Sequence, residues 1–241
     1  SFNFVVSAPL NAGREGGIGP ILFSTMLVVG VCMAVAVPMG VGTALFLSEY
    51  TRNDHVIGRL IRGSLEVLAG VPSIVFGLFG NALFCQTLGL GFSILSGGLT
   101  LACMVLPILI RTVEESFRGI SRDQRLSAAA LGLSSQTTIQ AILLPAAMPG
   151  LLVGCILGLG RAIAETAALI FTSGYVDRMP ESLMDSGRTL AVHIYDLAMN
   201  VAGGNPNAYA TALVLVGLLL IINFSASWIA SRWTSCNQLP A

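Results

Sequence analysis

Long runs without a charged residue dominate the pattern along this chain. The first extends from Pro20 to Leu47 and the second from Val67 to Ile110. A bilayer takes about 20 apolar residues per helical crossing. The first run therefore reads as one long helix that tilts or kinks, and the second is too long for one crossing. Gln86 to Gly98 interrupts the second run with Gly, Ser and Gln, which predicts two antiparallel neighbours joined by a short turn. Pro149 opens a further apolar segment, and Asn207 to Ala230 forms the last. The expectation is an all-α membrane protein with five transmembrane helices, at about 20–47, 65–86, 97–113, 149–173 and 207–230. Residues 1–19 are a polar, turn-rich extracytoplasmic lead-in, and 20–241 form one transmembrane domain.

Local punctuation refines this plan. Pro38-Met39-Gly40 marks a kink in the first helix, because Pro removes a backbone hydrogen bond. Gly70-Val71-Pro72-Ser73 falls inside the second span. A proline there persists where neighbours satisfy the freed carbonyls. Ser73 is then part of irregular backbone facing a translocation path, or of a plain packing kink. Ser48 to Ser64 reads as a solvated loop or surface helix. Its lone His55 has no second His or Cys nearby to make a metal site. Residues 114–148 form a long connection. Ser121 is a good N-cap, Asp123 follows in the first turn, and Gly132 is a C-terminal stop. Ser134 can cap a second helix that ends near Pro145.

Composition adds exclusions. Only 10% of residues are charged, against about 25% in soluble domains, and the mean hydropathy is +0.82. A net charge of zero argues against nucleic acid as a partner and leaves membrane lipid as the surroundings. All 12 basic residues are Arg. Without Lys there is no Schiff-base chemistry and no GxxxxGK[ST] phosphate loop. If nucleotide hydrolysis drives this protein, it happens on a partner. The five cysteines (Cys32, Cys85, Cys103, Cys155 and Cys236) show no ligand spacing and read as small buried hydrophobes. The N-terminal segment is no cleavable signal peptide, and the absence of an initiating Met reads as a truncated or processed start.

Arginine counts set an orientation. The 48–64 loop holds three, the 111–148 connection holds Arg111, Arg118, Arg122 and Arg125, and Arg232 follows the last span. Arg14, Arg178 and Arg188 fall on the other side. The Arg-rich side is cytoplasmic by the positive-inside rule, so the N-terminus is outside and the C-terminus inside.

Two constellations carry chemistry. Arg161 and Glu165 lie four residues apart in an apolar segment, among Gly154, Gly158, Gly160, Ala162, Ala164, Ala167 and Ala168. An i, i+4 spacing puts both on one helix face, where pairing reduces the cost of burying them in lipid. One reading is an anion path, with a guanidinium fork that matches an oxyanion. The other is a structural pair that locks two helices. The second constellation is the short capped helix in the connection, which is either a docking element for another protein or an ordinary surface hairpin.

The connection also carries a resemblance. Ala128, Gly132, Ile142, Leu144 and Pro145 stand in the register of the cytoplasmic motif of ABC-importer permeases, with Leu126 where the motif has Glu and Ser127 where it has Ala. Further segments extend the likeness over essentially the whole chain: Glu15-Gly16-Gly17-Ile18-Gly19, Leu47-Ser48-Glu49-Tyr50, Val71 to Gly80, Leu106 to Thr112 and Arg161 to Leu169. Together they resemble the permease family of phosphate importers. The Glu165-Thr166-Ala167 variant favours its PstA type over its PstC sister. The resemblance implies a type I ABC importer permease fold, usually of six helices, in a bacterial cytoplasmic membrane. It implies a PstC-type sister permease, a PstB-type ATPase dimer carrying ATP and Mg, and a PstS-type phosphate-binding protein, with no cofactor or catalysis on this chain. It further implies a substrate path at Arg161, Glu165, Thr166 and Ser73. Coupling to the ATPase would run through Arg122, Asp123, Arg125, Ala128, Ala129 and Gly132. The alternatives at this point are a permease for molybdate, tungstate or sulfate, and an ATP-independent secondary transporter.

Overall fold

The structure, a computed structural model, describes residues 2–51 and 56–237. Arg52, Asp54 and His55 of the first polar loop lie outside the described residues. The lead-in folds into a short helix, α1 (Phe2–Val6), and a two-strand hairpin. Its strands β1 (Pro9–Leu10) and β2 (Glu15–Gly16) pair antiparallel, Pro9 opposite Gly16. The turn between them passes through Asn11, Ala12 and Gly13, all at positive φ. Gly13 is required there, because a Cβ would lie 2.6 Å from the His193 ring.

The first long helix, α2 (Gly19–Leu45), opens with Pro20 in its first turn, where a missing N–H is harmless. It passes Pro38 without interruption and ends in a π-helical turn, Phe46–Tyr50. The expected second span at 65–86 is corrected. Two helices stand there instead, α3 (Val56–Ala69) and α4 (Ser73–Gly80), the latter extended by a π-helical segment, Asn81–Thr87. They meet at a bend of 104°. The cause is the Gly70-Val71-Pro72 junction, where Pro72 has no N–H to donate and its ring pushes Val71 out of the helical region.

Ser93 caps the next helix, α5 (Ile94–Arg118), its Oγ accepting from the Ser96 N–H at 3.1 Å. This cap and a helical C-terminus make α5 longer than the expected 97–113. Glycines set the packing. Gly98 faces Val28 and Val31 of α2, and Gly40 faces Leu109. Both pairs ascend together, so α2 and α5 run parallel. The chain must return between them, and the bent pair provides that passage. Small residues let such helices approach closely where lipid supplies no hydrophobic drive. Val28, Cys32, Ala36, Leu101, Val105, Leu109 and Phe117 form the seam, fully buried.

The connection holds α6 (Arg122–Ala130). Gly132 at φ +68 closes it: its N–H donates to Ala129 O (3.0 Å) and the Leu133 N–H to Ala128 O (3.1 Å), the two bonds of a Schellman motif. Ser121 occupies the N-cap position without a side-chain bond, whereas Ser134 caps α7 (Ser135–Thr138) through the Thr137 N–H. The expected helix end near Pro145 and new span from Pro149 are corrected. A π-helical turn (Ile139–Leu143) joins α7 to α8 (Leu144–Ala164) in one 30-residue helix. Pro145 is tolerated in the first turn after the π segment. Gly150, Gly154 and Gly158 of α8 face Ser116, Leu109 and Val105 of α5, so these two helices run antiparallel.

The fourth apolar segment ends at Ala164, not 173. Glu165 is extended (φ −76, ψ 129), and a one-turn helix, α9 (Ala167–Ile170), follows. The polar stretch beyond it contains α10 (Leu190–Met199). The last helix, α11 (Asn205–Asn237), begins beside the lead-in, where Asn207 Nδ2 donates to Gly13 O at 2.9 Å. Among the described residues, four helices are long and apolar enough to cross a membrane, and the bent pair is the fifth passage. One end of the bundle carries the hairpin, residues 88–93 and residues 165–204. The other carries α3 and α6.

Candidate translocation vestibule and coupling helix

A cavity of about 400 Å³ opens between α3, α5 and α8. Its polar lining comprises Arg62 and Glu66 of α3, Arg111, Glu114, Glu115 and Arg118 of α5, and Arg161 of α8. The α5 residues follow i, i+3, i+4, i+7 spacing, so one helix face carries all four. That pattern was visible in the chain. Arg111 and Arg118, expected in a polar connection, stand on α5 instead.

The charges differ in their partners. Glu114 is 7% exposed; it accepts from Arg62 Nε at 2.9 Å and forms an ion pair with Arg118 Nη2 at 3.0 Å. Arg111 meets Glu66 at 2.8 Å, with both side chains about 60% exposed, a pair of little net worth. Arg161 is exposed to the cavity, and among the described residues no carboxylate lies within ion-pair distance of it. It stands in the last turn of α8, where the helix dipole favours a cation. Gly158 faces Val105, which puts Arg161 near the level of Ala102. That is about 24 Å of helix rise from Arg118, at 1.5 Å per residue. The arginines thus run from the α6 end of the bundle inward, with Arg161 deepest.

Of the four expected path residues, only Arg161 lines this cavity. The expected i, i+4 pairing with Glu165 does not form, because the helix stops between them. The Glu165 carboxylate instead accepts from the Ala168 N–H of α9 at 3.3 Å. Thr166 is the N-cap residue of α9. Ser73 begins α4, whose Gly77 packs on Ala168 with room for no Cβ. The two helix breaks, Gly70–Pro72 and Glu165–Thr166, therefore belong to elements packed on each other. Irregular backbone at membrane depth is stable only when buried in protein or lining a cavity.

The six expected coupling residues divide. Arg122, Asp123 and Ala129 are exposed on α6, beside Leu126 and Leu131. Arg125 and Ala128 face inward. Arg125 pairs with Glu49 and donates to Phe117 O (2.7 Å), and Ala128 is 1% exposed. Gly132 shapes the helix end.

A second polar cluster lies at the opposite end of the bundle. Arg188 Nη1 pairs with Asp196 at 3.1 Å and lies 3.3 Å from His193 Nδ1, while its Nε donates to Tyr175 O. Burial, helped by the neighbouring Arg188 guanidinium, lowers the His193 pKa to about 4.

A helical bundle with a one-sided, arginine-lined vestibule and a helix displayed beneath it defines a solute permease. Its fold is that of type I ABC importer permeases. The inward-facing MetNI methionine ABC transporter matches with a TM-score of 0.69 over 90% of this chain and 94% of that one, at 17% identity. An amino acid ABC transporter solved with histidines matches at 0.61. Residues 36–235 match the family of binding-protein-dependent transport system inner membrane components, and this chain belongs to that family. Such permeases work with an ATPase and a binding protein and are normally not catalytic themselves. Relatives include a probable ABC transporter permease protein, YqgI, of Bacillus subtilis (34% identical, covering 96% of this chain and 83% of that protein). The phosphate transport system permease protein PstA 1 of Mycobacterium tuberculosis H37Rv is 33% identical over 93% of this chain and 73% of its own length. A Mycoplasma pneumoniae PstA homolog is 34% identical, with the match covering 35% of that longer protein.

Proposed function

We propose that this chain is the permease subunit of an ATP-driven importer of inorganic phosphate, forming half of a pore with a sister permease. The PstA-named relatives support phosphate, and a deep arginine, Arg161, with no carboxylate partner among the described residues is the observation that carries the reading. A guanidinium stays charged at every physiological pH and offers a donor fork that fits a tetrahedral oxyanion. A charge inside a bilayer is costly, and one that lines a cavity marks a solute path. The side bearing α3 and α6 is cytoplasmic, because it holds most of the arginines near span ends. A binding protein delivers phosphate at the opposite end, and two ATPase subunits grip the exposed face of α6. Arg161 receives the anion, and the α4 and α9 breaks, with Ser73, Glu165 and Thr166, form the gate beside it. Coupling requires the two access states to differ in affinity for phosphate.

The test is uptake of radiolabelled phosphate by the reconstituted complex of this chain with its sister permease, ATPase and binding protein. Uptake is expected to need ATP and to resist a tenfold excess of molybdate or sulfate. ATP-independent uptake, or equal competition by molybdate, contradicts the proposal.

A further inference from the structure

Two arginines join the same pair of helix ends. Arg62, on α3 in the vestibule wall, donates through Nη2 to Leu47 O (3.0 Å) and through Nε to Glu114 (2.9 Å). Arg125, on α6, pairs through Nη1 with the Glu49 carboxylate and donates through Nη2 to Phe117 O (2.7 Å). Leu47 and Glu49 both belong to the π-helical turn Phe46–Tyr50. Glu114 and Phe117 both belong to the last turns of α5. One staple therefore reaches into the vestibule and the other into the displayed helix, and both are anchored on the same two short stretches, Leu47 to Glu49 and Glu114 to Phe117. The Arg125 and Glu49 side chains are 28% and 17% exposed, so the pair is screened less than a surface one.

From this geometry we propose that Glu49 is a positioning residue of the transport cycle. It holds Arg125, and through the π-helical turn it passes displacement of α6 to Arg62, Glu114 and the vestibule. The π turn suits this role. Its hydrogen-bond pattern is already irregular, and such bulges recur at functional sites. The proposal rests on the reading of α6 as the ATPase-docking helix. It adds the path by which that docking reaches the anion, and such a path needs measured coupling rather than proximity.

The experiment uses the reconstituted four-component transporter. Glu49→Gln is expected to keep the ATPase bound and its basal hydrolysis intact, while phosphate uptake falls roughly five- to a hundredfold, the span of ordinary coupling free energies. The swapped pair, Glu49→Arg with Arg125→Glu, is expected to recover part of that loss, whereas Arg125→Glu alone does not. Wild-type uptake by Glu49→Gln, or no recovery in an assembled swap, overturns the proposal. Should Glu49→Gln not assemble, Glu49→Asp keeps the charge on a shorter arm. Intermediate uptake is then expected, and wild-type uptake refutes the role. A cysteine at the exposed Leu131 separates the two layers. A crosslink to the ATPase with unimpaired Glu49→Gln transport sinks the joint alone. No crosslink in the otherwise wild-type complex sinks the docking reading and the joint with it.

Discussion

Acidification is expected to loosen the end of this permease opposite α6 through His193. The ring is 1% exposed. Its Nδ1 faces Arg188 Nη1 at 3.3 Å, and a guanidinium has no acceptor to offer. Nδ1 must therefore accept, and the ring is neutral with its proton on Nε2. Burial and the Arg188 charge lower the pKa to about 4 from an ordinary 6.5, outweighing Asp196 and Asp177. As pH falls the unfolded chain takes up the proton first. The folded state loses stability from about pH 6.5 down to about pH 4, and the loss levels off below that. A difference of this size is worth roughly 3 kcal/mol, at 1.36 kcal/mol per pH unit. That is a fall of about 6–12 °C in Tm for a domain of this length. The assay is thermal unfolding of the purified complex between pH 7.5 and pH 4, wild type against His193→Gln. The substitution is expected to lower Tm at neutral pH and to flatten its slope above pH 4. The Asp185 carboxyl, held below its ordinary range by the N–H groups of Glu181 and Ser182, loses its contribution only at lower pH. An equal slope in both proteins refutes the reasoning.

Two further outcomes follow from the fold. Gly132→Ala forces a side chain to φ +68 where nothing else obstructs it, at a cost of about 1–2 kcal/mol. Limited trypsin digestion at Arg122 and Arg125 is expected to speed up, while Gly160→Ala, equally unobstructed but in ordinary helix, is expected to change nothing. Single cysteines at Met179 and Gln124 test the orientation. In intact cells an impermeant maleimide is expected to label Met179, and to reach Gln124 only after permeabilisation. The reverse order contradicts the proposed sides.

The runs of apolar residues made the helical membrane fold legible, because lipid forces hydrophobicity to accumulate over whole crossings. Capping chemistry also showed through: Gly132 and Ser134 do what their residue types require. The missed features depend on contacts distant in sequence. Arg111, Glu114 and Arg118 are charged, and so they suggested a loop. Their helical spacing was legible in the chain, but not the groups of α3, Arg62 and Glu66, that face them. Arg161 and Glu165 have the spacing of a pair, yet the chain leaves the helix between them to pack α9 on Gly77 of α4. The bend at Gly70–Pro72 was marked by its residues, but its 104° angle depends on where α3 and α4 each find their neighbours.

Phosphate uptake by the assembled Arg161→Ala transporter tests the central claim most directly. The complex is expected to form, to hydrolyse ATP and to import essentially no phosphate, with Arg161→Lys recovering little because a point charge lacks the planar fork. Normal uptake by an assembled Arg161→Ala complex would show that the anion does not depend on this guanidinium, and the vestibule would lose its proposed role.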